Sequence, residues 1–271
     1  TLLRQRWLLT LAAAANDTVP ASRSQMFERA IAAGQAMVRG DTALADTAFF
    51  ERQIAAGMAV TENPQAAVEV TSRATQKFPR NATFWALKAQ AERKAGQLQM
   101  AEQSIRQALS IDPMVSNGML LLATIQMETN QLDSALSTTR RAVAAGGDKT
   151  TWGTFLLAPT RTVYTYADSV KTVPEYQRAL AFAQASDSLA PSATAKFFIG
   201  VTSLNVAIAS LQDAQKGKSC DLAKQAQDMF VLTQMNMPAG GSIDPNTART
   251  VLGYVAQYSP TADQMAKQYC K

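Results

Sequence analysis

Apolar residues recur along this chain at three- and four-residue steps, and the recurrence itself repeats. Over residues 98–111 the apolar positions are Leu98, Ala101, Ile105, Ala108, Leu109 and Ile111, a stripe that one face of an α-helix can bury. A preceding helix is predicted over 82–95 with Asn81 as its N-cap, and Gly96 supplies the turn between the two because a left-handed backbone costs glycine little. Asp112-Pro113 ends the second helix, since proline lacks an amide hydrogen and disfavours helical geometry in the residue before it. This helix-turn-helix unit returns every 34 residues. Ala55, Ala89 and Ala123 keep that spacing, as do Ala67, Ala101 and Ala135, and Ala74, Ala108 and Ala142. Pro79 and Pro113 follow the same beat, with Gly147 in the third place. Such a period marks stacked helical pairs rather than one globular core. The small residues mark close helix crossings, where a larger side chain typically costs about 1–3 kcal/mol.

The period organises the chain into four stretches. Residues 1–47 are expected to form N-terminal helices, over 2–15 and 22–39, that cap the array. Residues 48–149 hold three regular repeats. Residues 150–193 hold an insertion, 150–159, expected to pack as an extra turn, followed by a degenerate fourth repeat with Val163, Ala167, Tyr176, Ala179, Ser186 and Pro191 in register. Residues 194–271 read as irregular C-terminal hairpins, with a helix pair over 197–215 and 220–237, a short hinge at 238–242, and two shorter helices over 246–258 and 262–269.

The pattern resembles the tetratricopeptide repeat. That family places a large residue at repeat position 4, small residues at 8, 20 and 27, and proline at 32; here Trp85, Ala89, Ala101, Ala108 and Pro113 fill those places in order. The copy over 48–81 departs at Glu51, where the large residue belongs, and the copy over 116–149 has Gly147 instead of the proline. The resemblance implies an all-α, right-handed superhelical solenoid of helical hairpins whose first helices line a concave wall. Positions 2, 5, 9 and 12 then point into that wall. In the first copy they are Phe49, Arg52, Ala56 and Ala59; in the second Thr83, Ala86, Gln90 and Arg93; in the third Asn117, Leu120, Thr124 and Met127; in the fourth Arg161, Tyr164, Asp168 and Lys171. Phe49, Arg52, Gln90, Arg93, Asn117, Leu120, Thr124, Met127, Arg161 and Tyr164 are thus the candidate protein-binding residues, a mixture suited to an extended or helical peptide. Family members that clamp a terminal carboxylate use a Lys/Asn/Arg set, and the matching positions here include Ala56 and Leu87.

Composition narrows the function further. There is no histidine, which removes Ser-His and Cys-His nucleophile pairs and histidine-ligated zinc. No Gly-rich phosphate loop of either common pattern occurs. A non-enzymatic scaffold without cofactor or metal is the expectation. The net charge is +5, but the cations are scattered rather than gathered on one face with stacking aromatics, so nucleic acid is not the expected partner. No run of about twenty apolar residues is evident, so no membrane span is expected.

Two rival roles have some support. The apolar run at one end, with Leu3, Trp7, Leu8 and Leu11, would suit self-association into a homo-oligomer, fibre or ring by head-to-tail contacts. Trp152, Phe155 and Tyr164 are the nearest set of aromatics that a carbohydrate-capturing surface would need. Residue 1 is threonine, consistent with a processed or partial chain, and the expected setting is extracellular or periplasmic in a bacterium that exports it. A Cys220–Cys270 bridge would suit that setting. Regular stacking opposes the bridge: an intervening helix of about eleven residues would hold the two ends roughly 16 Å apart. Bridged and free thiols are both left open by the sequence.

Overall fold

The computed structural model describes residues 2–270. Among them are thirteen α-helices, one 3-10 turn at Thr42–Leu44, and no strand. They form two compact units, Thr1–Arg140 and Arg141–Lys271. The first contains α1 (Leu2–Asn16), α2 (Pro20–Gly40), α3 (Thr47–Ala59), α4 (Gln65–Lys77), α5 (Ala82–Lys94), α6 (Leu98–Ile111), α7 (Gly118–Glu128) and the start of α8 (Leu132–Ala144). The second contains the end of α8, then α9 (Lys149–Val170), α10 (Val173–Leu189), α11 (Ala193–Gly217), α12 (Cys220–Gly240) and α13 (Pro245–Tyr269). Within each unit a helix packs chiefly on its chain neighbours, as an all-α array of hairpins requires.

Local chemistry explains the regular copies. Asn81 caps α5 by accepting from Phe84 N at 3.2 Å, and Trp85 Nε1 donates to Pro79 O at 2.9 Å. Gly96 ends α5 with φ +76° and Asn130 ends α7 with φ +58°. Both turns carry the same pair of bonds: Gly96 N to Arg93 O and Gln97 N to Glu92 O, then Asn130 N to Met127 O and Gln131 N to Gln126 O. These satisfy carbonyls that a helix end otherwise leaves open. Eight of the nine periodic alanines are buried; Ala55 is exposed. Its copy has Glu62 where the others have Gly96 and Asn130, and the residue before Pro64 resists helical geometry. The turn there spans residues 60–64, α3 starts early under an Asp46 cap to Phe49 N, and α4 starts late. The close crossing moves to Gly57, where an added Cβ would lie 2.9 Å from Ala67 Cα.

One interior position repeats with a polar residue. Gln126 is buried on α7 and meets Thr138 Oγ1 of α8 at 2.8 Å. With its amide nitrogen toward α8 it also donates to Ser134 O, and its oxygen accepts from Arg106. One period earlier stands Glu92, fully buried on α5, with Ser104 facing it from α6 and Lys88 Nζ at 3.7 Å. Neither reaches the carboxylate at ordinary hydrogen-bond length, although both act to lower its pKa. Burial pushes the Glu92 carboxyl above the ordinary glutamate range.

Three prolines that fall at expected element boundaries lie inside helices: Pro159 in α9, Pro238 in α12 and Pro260 in α13. The expected extra turn over 150–159 is therefore the first half of a 22-residue helix, and α12 runs on through the expected hinge to Gly240. The two short C-terminal helices are one 25-residue helix. That continuity settles the cysteines. A full-length α13 returns antiparallel along α12, so the start of α12 and the end of α13 share one end of the hairpin. Cys220 and Cys270 are bonded there, with Cα atoms 4.9 Å apart. One helix, α11, is by length and composition alone apolar enough to cross a bilayer. Its buried face includes Ile199, Val206 and Leu211, and it packs between α10 and α12 at the centre of its unit.

Candidate functional site

Some of the expected wall positions of the second and third copies lie together between α5 and α7. A groove of about 410 Å³ is lined by Thr83, Ala86, Leu87, Gln90 and Arg93 from α5 and by Leu120, Leu121 and Thr124 from α7, with Val115, Ser116 and Asn117 closing the turn between repeats. Seven of the eight wall positions of the second and third copies line it, Met127 being the exception. The helices hold these residues in place because the Gly96 turn and the buried Ala89, Ala101 and Ala123 fix how the repeats nest.

The chemistry of the lining is mostly uncharged. Leu87, Leu120 and Leu121 are half-buried and form an apolar floor. Thr124 Oγ1 donates to Leu120 O at 2.8 Å and so is already engaged. Asn117 has a left-handed backbone, φ +56°, and its side chain does not cap α7. Gln90 is exposed on the facing helix. Each amide offers one donor group and one acceptor, the same pair a peptide bond presents.

Arg93 is not a free cation. Its Nε lies 3.0 and 2.8 Å from the two carboxylate oxygens of Glu128, and its Nη2 lies 2.6 Å from Oε1. These bonds and the Glu128 charge hold Arg93 above the ordinary arginine range. Glu128 was not among the expected wall residues. Its signal in the sequence is an acid one period plus one residue after Arg93, the offset that sets successive first helices side by side. Leu87 and Leu121, both at repeat position 6, also line the groove, although the repeat pattern does not count that position among those pointing into the wall.

The remaining expected residues lie elsewhere. Phe49 is in the core of the first unit, its ring 5.1 Å from Trp7 and 5.2 Å from Phe50, because α1 covers this face of α3. Arg52 is exposed and donates to Ala48 O of its own helix at 3.3 Å. Arg161 is exposed on α9 of the second unit. Tyr164 of the same helix packs on Phe198 with centroids 5.8 Å apart, and burial, then the charge of Asp168, raises its hydroxyl pKa. The aromatic set does not form an open stacking patch, because Trp152 is buried and edge-on to Phe155. The self-association set divides too. Trp7 is 1% exposed and Leu11 packs on the same core, so both face inward. Leu3 and Leu8 are exposed, together with Leu2 and Leu9. Among the described residues no cluster of potential metal ligands occurs.

No family model matches the sequence, and no curated protein is similar to it. Among solved structures the chain is similar to one in the APC/C hetero-tetramer Cut9-Hcn1, at 13% identity and a TM-score of 0.38, covering 97% of this chain and 56% of that one. It is similar to one in the structure of Naa15/Naa10 bound to HypK-THB, at 16% identity and a TM-score of 0.42, covering 98% of this chain and 54% of that one. Yeast Tom70 is similar at 12% identity and a TM-score of 0.30, covering 97% of this chain and 63% of that one. The chain spans just over half the length of the first two and under two thirds of the third.

Proposed function

We propose that the groove between α5 and α7 binds an extended polypeptide segment of a partner protein, and that the protein is a non-enzymatic binding scaffold. The observation that carries this reading is the convergence of seven periodic wall positions on one groove of about 410 Å³, a size within the roughly 300–1,000 Å³ range of ligand sites. Gln90 and Asn117 supply amide groups for a ligand backbone, and the leucine floor takes alternate side chains. The wall is already formed, so binding loses little ordering entropy in the receptor. The Cys220–Cys270 bridge supports an oxidising setting, extracellular or periplasmic.

An array of immobilised peptides tests the reading. Peptides retained by the wild-type chain are expected to be released by Leu120→Arg, which fills the groove with a long cationic side chain, while the thermal melt stays unchanged. Equal retention by the variant would place binding elsewhere and defeat the proposal.

A further inference from the structure

We infer that Glu128 is the specificity-determining residue of this groove: by holding Arg93 it makes the wall a receptor for uncharged polypeptide and excludes carboxylate-bearing segments. The inference rests on the peptide reading above and adds the chemistry of the ligand. Arg93 is the only ionisable side chain among the described residues that line the groove. Left alone, it would draw a ligand carboxylate into a bidentate pair, the geometry guanidinium groups favour. Glu128 already occupies that geometry with three contacts of 2.6–3.0 Å. An incoming carboxylate would have to displace it, exchanging one pair for an equivalent one and gaining nothing.

The position of Glu128 points the same way. It is the last residue of α7, where the helix dipole disfavours an acid. Its carboxylate is held there by Arg93 across the repeat, not by its own helix. Both side chains remain about one third exposed, so the pair closes one end of the groove at the surface and contributes little to the fold.

The experiment uses the full chain and a peptide array in which every sequence occurs in an acidic form, with Asp or Glu, and a matched uncharged form, with Asn or Gln. The wild type is expected to retain the uncharged members. Glu128→Gln releases Arg93 and is expected to favour the acidic members by about tenfold relative to the wild type, the return from one charge-assisted hydrogen bond. Arg93→Gln combined with Glu128→Gln should lose that gain. If the single and double variants prefer acidic peptides alike, the effect is a general loss of negative charge and the inference fails. If all three bind peptides with the same charge preference, the inference fails and the peptide groove stands. If none retains any peptide, the groove reading falls and takes this inference with it.

Discussion

The interior of the second repeat contains a testable electrostatic defect. Glu92 is fully buried, and no hydrogen bond of ordinary length reaches either carboxylate oxygen, so Ser104 and Lys88 offset its burial only in part. An unpartnered buried polar group typically costs about 1–3 kcal/mol. Lys88 Nζ, 3.7 Å away on the same helix, offsets part of that cost without removing it. The next repeat shows the alternative, since Gln126 pairs with Thr138 at the equivalent site. Glu92→Gln, facing Ser104 as Gln126 faces Thr138, should therefore stabilise the α5–α6 hairpin by about 1–2 kcal/mol at neutral pH. Local hydrogen exchange is the suitable assay, because it reads one hairpin without assuming that two units melt together. Amides of α5 and α6 should exchange roughly 5–30-fold more slowly in the variant. The pH dependence has a definite sign. Burial raises the Glu92 pKa above 4.5, so the stability this group contributes is fully present below pH 4.5 and is lost as pH rises through the raised value. The gap between variant and wild type should be widest at neutral pH and closed below pH 4.5. Faster exchange in Glu92→Gln at neutral pH would refute the reasoning and show that the Lys88 pair is net stabilising.

Two further predictions address the first repeat and the C-terminus. Gly→Ala inside a helix ordinarily stabilises by roughly 0.5–1 kcal/mol, but Gly57→Ala directs a Cβ to 2.9 Å from the Ala67 backbone and should destabilise by about 1–3 kcal/mol. Ala55→Val, at an exposed site, should stay within about 0.5 kcal/mol; thermal melts in which the two variants respond in the opposite order would show that the first repeat keeps the register of the others. Replacing Cys220 and Cys270 by serine opens a loop with a sequence separation of 50 and should destabilise the second unit by about 4 kcal/mol on the chain-entropy estimate. Melts of wild type and variant that coincide under non-reducing conditions would overturn that estimate.

The repeat was legible because its determinants are local. A left-handed residue, a cap and a small side chain each act within a few residues, so Gly96, Asn81 and Ala101 state their roles without a partner being known. Glu62 also sets the first copy apart, since glutamate does not favour the left-handed turn that Gly96 and Asn130 adopt; the alanine at position 8 hides that difference. The prolines mislead because a stop signal has two outcomes that tertiary contacts decide. Pro113 follows an aspartate that caps the turn, with Asp112 Oδ1 accepting from Met114 N at 2.9 Å, and the helix ends. Pro159 is buried beside Thr160, whose hydroxyl donates to Leu156 O at 2.6 Å, and the helix continues. Joining 246–258 to 262–269 across Pro260 then reverses the geometry at the cysteines, because one continuous antiparallel helix returns its C-terminus to Cys220 whereas two successive helices would end at the far side.

The wall was legible as a set of positions but not as a field of charge. Periodicity says which residues share a face, so Gln90, Asn117 and Leu120 came out together. It does not say which charge neutralises which, because that depends on residues from two repeats meeting edge to edge. Arg93 and Glu128 are 35 apart, one more than the period, and only the lateral offset of neighbouring first helices makes that number meaningful. The same offset can be searched in any array of 34-residue hairpins: opposite charges at positions 12 and 13 of successive copies form a clip at the groove's end. A copy that has the arginine without the acid keeps an available cation. The acid thus carries more information about ligand charge than the arginine does, although only the arginine lies on the wall.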